Sequence, residues 1–250
     1  MTTGPSTDPE RMGEVSPVRG GQIASDNEEA NDVLDLRPHI QRVAPSQPAP
    51  SAYGRFIKPT IDRIIGTVLC LVWLPFLSLL VVVIWLSMGP PAIYSQRRVG
   101  KDGRPFTMYK LRTMRADQRV EQVAVDGPDR RRVHKTHHDP RITKVGRFLR
   151  KWSLDETPQF MNVVLGQMSL VGPRPELVEI VETKYEGWQH ARHTVKPGVT
   201  GLWQISEQRQ ELMYEATEID LNYIDRISLG EDLRILALTI PAALGKRRSF

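Results

Sequence analysis

The sequence predicts an α+β chain that is mostly helical. It has one membrane-inserted helix near the N-terminus, a short β-hairpin, and a small cytoplasmic helical domain with amphipathic helices at the membrane surface. Three observations carry this. No charged side chain occurs over residues 64–96, and Ile64 to Met88 is almost wholly apolar. Two strand-like runs, Ile93 to Val99 and Pro105 to Met114, bracket the turn Gly100-Lys101-Asp102-Gly103. Downstream, apolar residues recur at helical spacing between Pro and Gly stops. The expected boundaries are a disordered tail over 1–52, the membrane segment over 53–92 and the cytoplasmic domain over 93–250.

The tail, Met1 to about Ser51, is rich in Pro, Ser, Gly, Asp and Glu and has no periodic apolar face to bury. It does not read as a signal peptide, because no apolar core follows the first residues. At about 1.5 Å per residue, the run from Ile64 to Met88 reaches about 37 Å, against a hydrocarbon core of about 30 Å. Pro75 near its middle leaves the carbonyl of Leu71 without its usual donor and predicts a kink or break. Lys58 and Arg63 precede the run, and Arg97, Arg98, Lys101 and Arg104 follow it. The positive-inside tendency would keep both flanks cytoplasmic, which one straight span cannot do. These residues leave two readings open, an ordinary kinked span and a helix that enters and returns.

One cysteine in 250 residues (Cys70) excludes an internal disulfide framework. The formal net charge of +5 favours an anionic partner, with nucleic acid, anionic lipid and a nucleotide-linked substrate all compatible. In the second strand of the hairpin, Lys110 and Arg112 share a face, either solvated or holding phosphate. Ala116 to Thr136 reads as a surface loop with an Arg130-Arg131-Arg132 run. His134, His137 and His138 lack the cysteine pair or the helical His-Glu partner of a zinc site.

The chemistry concentrates in Arg147 to Pro175, RFLRKWSLDETPQFMNVVLGQMSLVGPRP. Adjacent carboxylates Asp155 and Glu156 lie between Arg147, Arg150 and Lys151 on one side and Arg174 on the other. Ser153 and Glu156 fit a capping box, and Thr157-Pro158 fits an N-cap with proline in the first helical position; Gly166 is the expected terminator. A purely structural cap is the simpler account of such acids. Paired carboxylates ringed by arginines also suit a site for phosphate and a divalent cation: Mg²⁺ binds one or two carboxylates plus substrate phosphates, and arginine forks fit phosphate oxygens.

Further on, Pro175 to Trp188 reads as a helix with Leu177, Ile180 and Val181 on one face. Val195 to Ile205 reads as a loop and short strand in which Trp203 packs. Tyr214 to Ile227 is helical, and Leu233 to Leu244, ending in Lys246-Arg247-Arg248, is an in-plane helix suited to an anionic leaflet.

The runs GPPAIYSQRRVGKDGRPFTMYKLRTM, DPRITKVGRFLRKWSLDETPQFMNVVLGQMSLVGPRPE and RHTVKPGVTGLWQI resemble the bacterial sugar transferase family, monotopic phosphoglycosyl transferases, over about Phe56 to Gly245. The resemblance implies transfer of a sugar phosphate from a nucleotide sugar, commonly a UDP-sugar, to a polyprenol phosphate of the undecaprenyl type. Nucleoside monophosphate is released in this first membrane step of exopolysaccharide or glycoconjugate synthesis. It implies Asp155 as nucleophile, Glu156 sharing Mg²⁺ or assisting proton movement, Arg150, Arg174, Lys110 and Arg112 on phosphate, and Mg²⁺ held by Asp155 and Glu156. It implies a re-entrant helix in the bacterial inner membrane, a catalytic domain on the cytoplasmic face, membrane lipids as partners and no nucleic acid. Two departures from the family's pattern stand out. Leu74 replaces the serine often found before the breaking proline, and Ser206 to Gln210 lacks the usual Gly-Arg of the nucleotide-base contacts. A nucleotide-sugar hydrolase using the same Asp155, and a non-catalytic membrane adaptor, are the alternative functions.

Overall fold

The long apolar helix organises the protein because it is fastened at both ends and bare in between. The computed structural model describes residues 51–115, 141–206 and 212–243. Residues 1–50 of the tail expected over 1–52, the whole Ala116–Thr136 loop, the three histidines, the altered Glu207–Gln210 stretch and the basic end Lys246–Arg248 lie outside the described residues. After a π-helical turn, Tyr53–Ile57, helix α1 runs Lys58–Met88. Together these make the one helix among the described residues that is long and apolar enough to cross a membrane. Only 6% of its most apolar stretch is buried, unlike the core helix of a soluble protein.

Pro75 does not break the helix; α1 is a single element with the proline inside it. The Ser78 hydroxyl donates to the carbonyl of Leu74 at 2.9 Å. This back-bond spans the turn after the proline and reaches the Leu74 carbonyl, not the Leu71 carbonyl that Pro75 leaves without its helical donor.

The N-terminal end of α1 is held by a buried polar network. Lys58 Nζ lies 2.6 Å from Asp232 Oδ2, and Ser169 Oγ donates to Asp62 Oδ2 at 2.6 Å. The Tyr53 and Tyr223 hydroxyls donate to the two oxygens of Asp232 at 2.6 and 2.7 Å. One stripe of α1 then meets the domain. Gly66 is buried where an added Cβ would fall 2.9 Å from Val163 Cγ1. Further along, Leu77, Leu80, Val81, Ile84 and Met88 pack around Leu111 and Leu149. From Leu71 to Phe76 only Trp73 is even partly covered.

Strands β1 (Ile93–Val99) and β2 (Pro105–Leu111) form the expected antiparallel hairpin, with Ile93 opposite Leu111 and Val99 opposite Pro105. The turn places Asp102 and Gly103 at positive φ. Helix α2 (Lys144–Lys151) is capped by Thr143, whose hydroxyl accepts from the Gly146 amide at 3.0 Å. A 3₁₀ turn, Leu154–Glu156, leads into α3 (Gln159–Val164), which ends at Gly166 with φ 75°, the left-handed position that favours glycine.

Strand β3 (Ser169–Val171) pairs in parallel with β4 (Gly198–Thr200). The two chains press backbone to backbone: a Cβ on Gly198 would stand 2.1 Å from the Gly172 nitrogen, so glycine is obligatory there. Helix α4 (Val178–Lys184) buries Val181, and a 3₁₀ segment spans Gly187–Thr194. Helices α5 (Leu202–Ile205), α6 (Thr217–Asp225) and α7 (Leu229–Ala243) complete the described fold.

The main core gathers Phe106, Met108, Val163, Met168, Leu170, Val171, Ile205, Tyr223 and Ile235. Each large apolar side chain fully buried there contributes about 1.5–3 kcal/mol. Trp203 packs with Met213 and Ala216, as expected of a core tryptophan. The described residues are thus mostly helical, with one long apolar helix and two small sheets.

Candidate active site

The acidic pair sits on a tightly wound turn rather than on a capped helix start. Ser153 adopts φ 52°, the left-handed region, which costs a non-glycine residue about 1–2 kcal/mol. It turns the chain sharply out of α2, so Leu154–Glu156 form a 3₁₀ turn. The expected capping box does not form. Glu156 points away from Ser153, Pro158 occupies the N-cap of α3, and the Thr157 hydroxyl donates back to the Leu154 carbonyl at 2.8 Å. Cations draw the Glu156 carboxylate out of the box.

Lys110 Nζ lies 2.9 Å, and Arg174 Nη2 3.1 Å, from the same oxygen, Glu156 Oε1. Although burial opposes ionisation, these two cations hold the Glu156 carboxyl down to about 2. Asp155 is pushed the other way: burial, then the neighbouring Glu156 charge, raises its pKa despite Lys110 and Arg150 nearby. Its carboxylate accepts from its own backbone amide, and no side chain among the described residues donates to it. The dyad is therefore split into one committed carboxylate and one available carboxylate.

The structure brings together four of the residues expected at the site, Asp155, Glu156, Lys110 and Arg174, with Arg150 beside them. Arg150 Nε donates to Thr113 Oγ1 at 2.9 Å and helps keep Asp155 ionised. Arg112 is the exception. Its terminal nitrogens go to the backbone where α1 ends, Nη2 to the carbonyl of Met88 at 2.7 Å and also to that of Gly89, Nη1 to that of Pro90 at 3.3 Å. The strand alternation that puts Lys110 and Arg112 on one face is correct; the destinations of the two side chains differ.

Several contributors were not visible as site residues in the sequence. Arg98 donates to the Pro175 carbonyl at 3.1 Å and to Gln96 Oε1 at 2.7 Å; burial and the nearby Arg174 charge lower its pKa to about 10. Fully buried Asn162 fastens α3 to the free edge of β2, accepting from the Tyr109 amide at 3.2 Å and donating to the Thr107 carbonyl at 2.7 Å. Arg192 donates to the Arg174 carbonyl at 2.7 Å and pairs with Asp220 at 2.5 Å, both side chains almost wholly buried. It also donates to the Tyr185 hydroxyl. Only the RHTVKPG run pointed toward Arg192, and nothing in its spacing indicated Asp220.

A site with one carboxylate lacking a side-chain donor among the described residues, one clamped carboxylate and convergent guanidinium and ammonium groups suits displacement at phosphorus. The family comparison agrees: the model of the bacterial sugar transferase family matches residues 53–246. The chain belongs to that family.

Among curated relatives, the galactosyl transferase CpsE of Streptococcus agalactiae serotype III (strain NEM316) is 46% identical over 159 residues, 62% of this chain and 35% of that protein. The UDP-glucose:undecaprenyl-phosphate glucose-1-phosphate transferase of Escherichia coli (strain K12) is 39% identical over 198 residues, 76% of this chain and 40% of that one. The exopolysaccharide production protein ExoY of Rhizobium meliloti (strain 1021) is 36% identical over 206 residues, covering 79% of this chain and 89% of that protein. The chain thus spans well under half of the first two relatives and nearly all of the third.

This sugar transferase has no cluster of three or more His, Cys, Asp or Glu ligands among its described residues. Its donor set fits Mg²⁺ of the kind that binds one or two carboxylates and takes its other oxygens from substrate phosphate and water. Asp155, with the second oxygen of Glu156, would hold it.

Proposed function

We propose that this protein is a phosphoglycosyl transferase that moves a sugar phosphate from a UDP-sugar to undecaprenyl phosphate, with Asp155 as a covalent nucleophile. The names of the relatives support the two substrates. The observation that carries the nucleophile is the split dyad: Glu156 is bound by Lys110 and Arg174, whereas Asp155 has no side-chain partner among the described residues.

An Asp155 carboxylate oxygen attacks the phosphorus that carries the sugar. The bond from that phosphorus to the bridging oxygen of the nucleoside monophosphate breaks, its electrons leave with the nucleotide, and an acyl phosphate remains on Asp155. A phosphate oxygen of the lipid then attacks the same phosphorus, the acyl–phosphorus bond breaks, and Asp155 is returned as a carboxylate. Both steps bring anions together. Two unit charges 4 Å apart repel by about 4 kcal/mol at an effective dielectric of about 20. Arg150 and Arg174, with Lys110, offset this repulsion and orient the transferring group. Mg²⁺, when bound by the dyad, neutralises further phosphate charge.

The same reading makes 53–92 a membrane segment, 93–250 the cytoplasmic catalytic domain, and α1 a helix that dips into the inner membrane and returns. Attachment of both ends of α1 to one domain, with an exposed apolar middle, supports the dip. A domain held at head-group level meets a soluble nucleotide sugar and a lipid phosphate without extracting the lipid. The test is UMP release from UDP-glucose and other UDP-sugars in nanodiscs with undecaprenyl phosphate. Wild-type chain releases UMP and forms sugar-phosphate lipid. Asp155→Asn, still membrane-bound, does neither. Turnover by that variant at the wild-type rate rejects the nucleophile. UMP formation that needs no lipid acceptor and continues over many turnovers identifies a hydrolase instead.

A further inference from the structure

The end of α1 and the acidic dyad are tied to the same strand face. Arg112 continues the hairpin ladder past β2, its amide donating to the Ala92 carbonyl at 2.8 Å, so its side chain leaves the strand on the face of Lys110, about 7 Å away along the chain. Lys110 binds Glu156 at 2.9 Å. Arg112 reaches the carbonyls of Met88, Gly89 and Pro90. Between them Leu111, on the opposite face, is buried against Ile84 and Leu149. Thr143, the cap of α2, places its hydroxyl 3.4 Å from Met88 Sδ.

An arginine on the last carbonyls of a helix is an ordinary cap taken alone. Here the capped helix is the apolar one, and the capping residue is two positions from the lysine that holds the dyad. The two terminal nitrogens of arginine's rigid planar fork hold these three carbonyls in one fixed geometry, which the freely rotating ammonium of lysine does not impose.

We propose that Arg112 is a positioning residue rather than a phosphate ligand: its guanidinium fixes where α1 leaves the membrane relative to Glu156 and Asp155, and so sets the approach of the lipid acceptor to the site. This rests on the phosphoglycosyl transferase reading above. It separates the two substrates, because the soluble nucleotide sugar does not depend on the depth at which α1 exits, whereas the membrane-embedded phosphate does.

The experiment uses the full chain in nanodiscs, as wild type, Arg112→Gln and Arg112→Lys. Hydrogen exchange is followed over Ile84 to Ala92, with the buried Tyr223 region as the control for folding, and kinetics are measured with UDP-glucose and undecaprenyl phosphate as probes. In both variants, exchange over Ile84 to Ala92 quickens about tenfold while the Tyr223 region is unchanged. KM for UDP-glucose stays within about twofold, and turnover with the lipid acceptor falls about tenfold to a hundredfold, as expected of a small misplacement of reacting groups. The proposal is overturned if exchange over Ile84 to Ala92 is unchanged, whatever the kinetics. It is equally overturned if KM for UDP-glucose rises tenfold in Arg112→Gln and Lys restores it, the signature of a phosphate contact. Absence of turnover by the wild type would reject the transferase reading alone, since the exchange result needs no substrate.

Discussion

Lys110 and Arg174 meet on a single oxygen of Glu156, at 2.9 and 3.1 Å, although one cation comes from the hairpin and the other from the turn after β3. That shared contact joins two distant stretches of chain and leaves Asp155 as the carboxylate available for chemistry.

Removing one of those cations should loosen the site more than the fold. Lys110→Met leaves Glu156 with Arg174 alone and drops the charge facing Asp155. We expect kcat/KM for a UDP-sugar to fall about a hundredfold or more, as for loss of a preorganised electrostatic contact. Both partners keep some solvent access, so the stability loss should be about 1–3 kcal/mol, measured by thermal unfolding in detergent. Lys110→Arg should recover much of the stability.

The two carboxylates have opposite pH signatures. Glu156 is depressed, so its contribution to stability is full above about 4.5 and is lost as pH falls toward about 2. Asp155 is raised, so ionising it in the folded state carries a cost that appears as pH rises above its ordinary 3.8. As the proposed nucleophile it would have to be ionised, and the acid limb of kcat/KM for the nucleotide sugar should lie above 3.8. In Glu156→Gln the like charge is gone, and that limb should move to lower pH in whatever activity remains. An unmoved or upward-shifted limb in that variant assigns it to another group.

Arg192 holds the carbonyl of Arg174 from within the domain and is balanced by Asp220. Removing either partner strands the other charge in a buried site, a loss of about 3–5 kcal/mol. Arg192→Met and Asp220→Asn should each lower the thermal midpoint by several degrees or more, and the double replacement should cost less than the sum of the two.

Much of this was legible in the sequence because it is local. The hairpin follows from alternation around a glycine-bearing turn, and Gly166 ends α3 where a positive φ is needed. The adjacent acids and the Gly-Pro-Arg-Pro turn marked the site. What was not legible depends on distance in the chain. No spacing rule places Lys110 on Glu156, 46 residues on, or Arg192 against Asp220. The capping box at Ser153 was a sound local expectation, displaced by two cations that only the tertiary fold supplies. Pro75 predicted a kink or break; the helix remains one element through it, because one missing donor costs less than dismantling turns of an apolar helix, and a bend at the proline is compatible with that.

Topology has its own test. In a Cys70→Ser background, a cysteine at Gly54 and another at Ser95 should both react with a membrane-impermeant reagent only from the cytoplasmic side. Labelling of Gly54→Cys from the opposite side would establish a true span and reject the dip.

The most direct measurement is the mass of the intact protein quenched after mixing with a UDP-sugar in the absence of lipid acceptor, followed by peptide mapping. The expected result is a gain equal to one sugar phosphate, located on the peptide containing Asp155, absent in Asp155→Asn and discharged by undecaprenyl phosphate. Efficient formation of the sugar-phosphate lipid with no such adduct at any quench time, or an adduct on another residue, would contradict it.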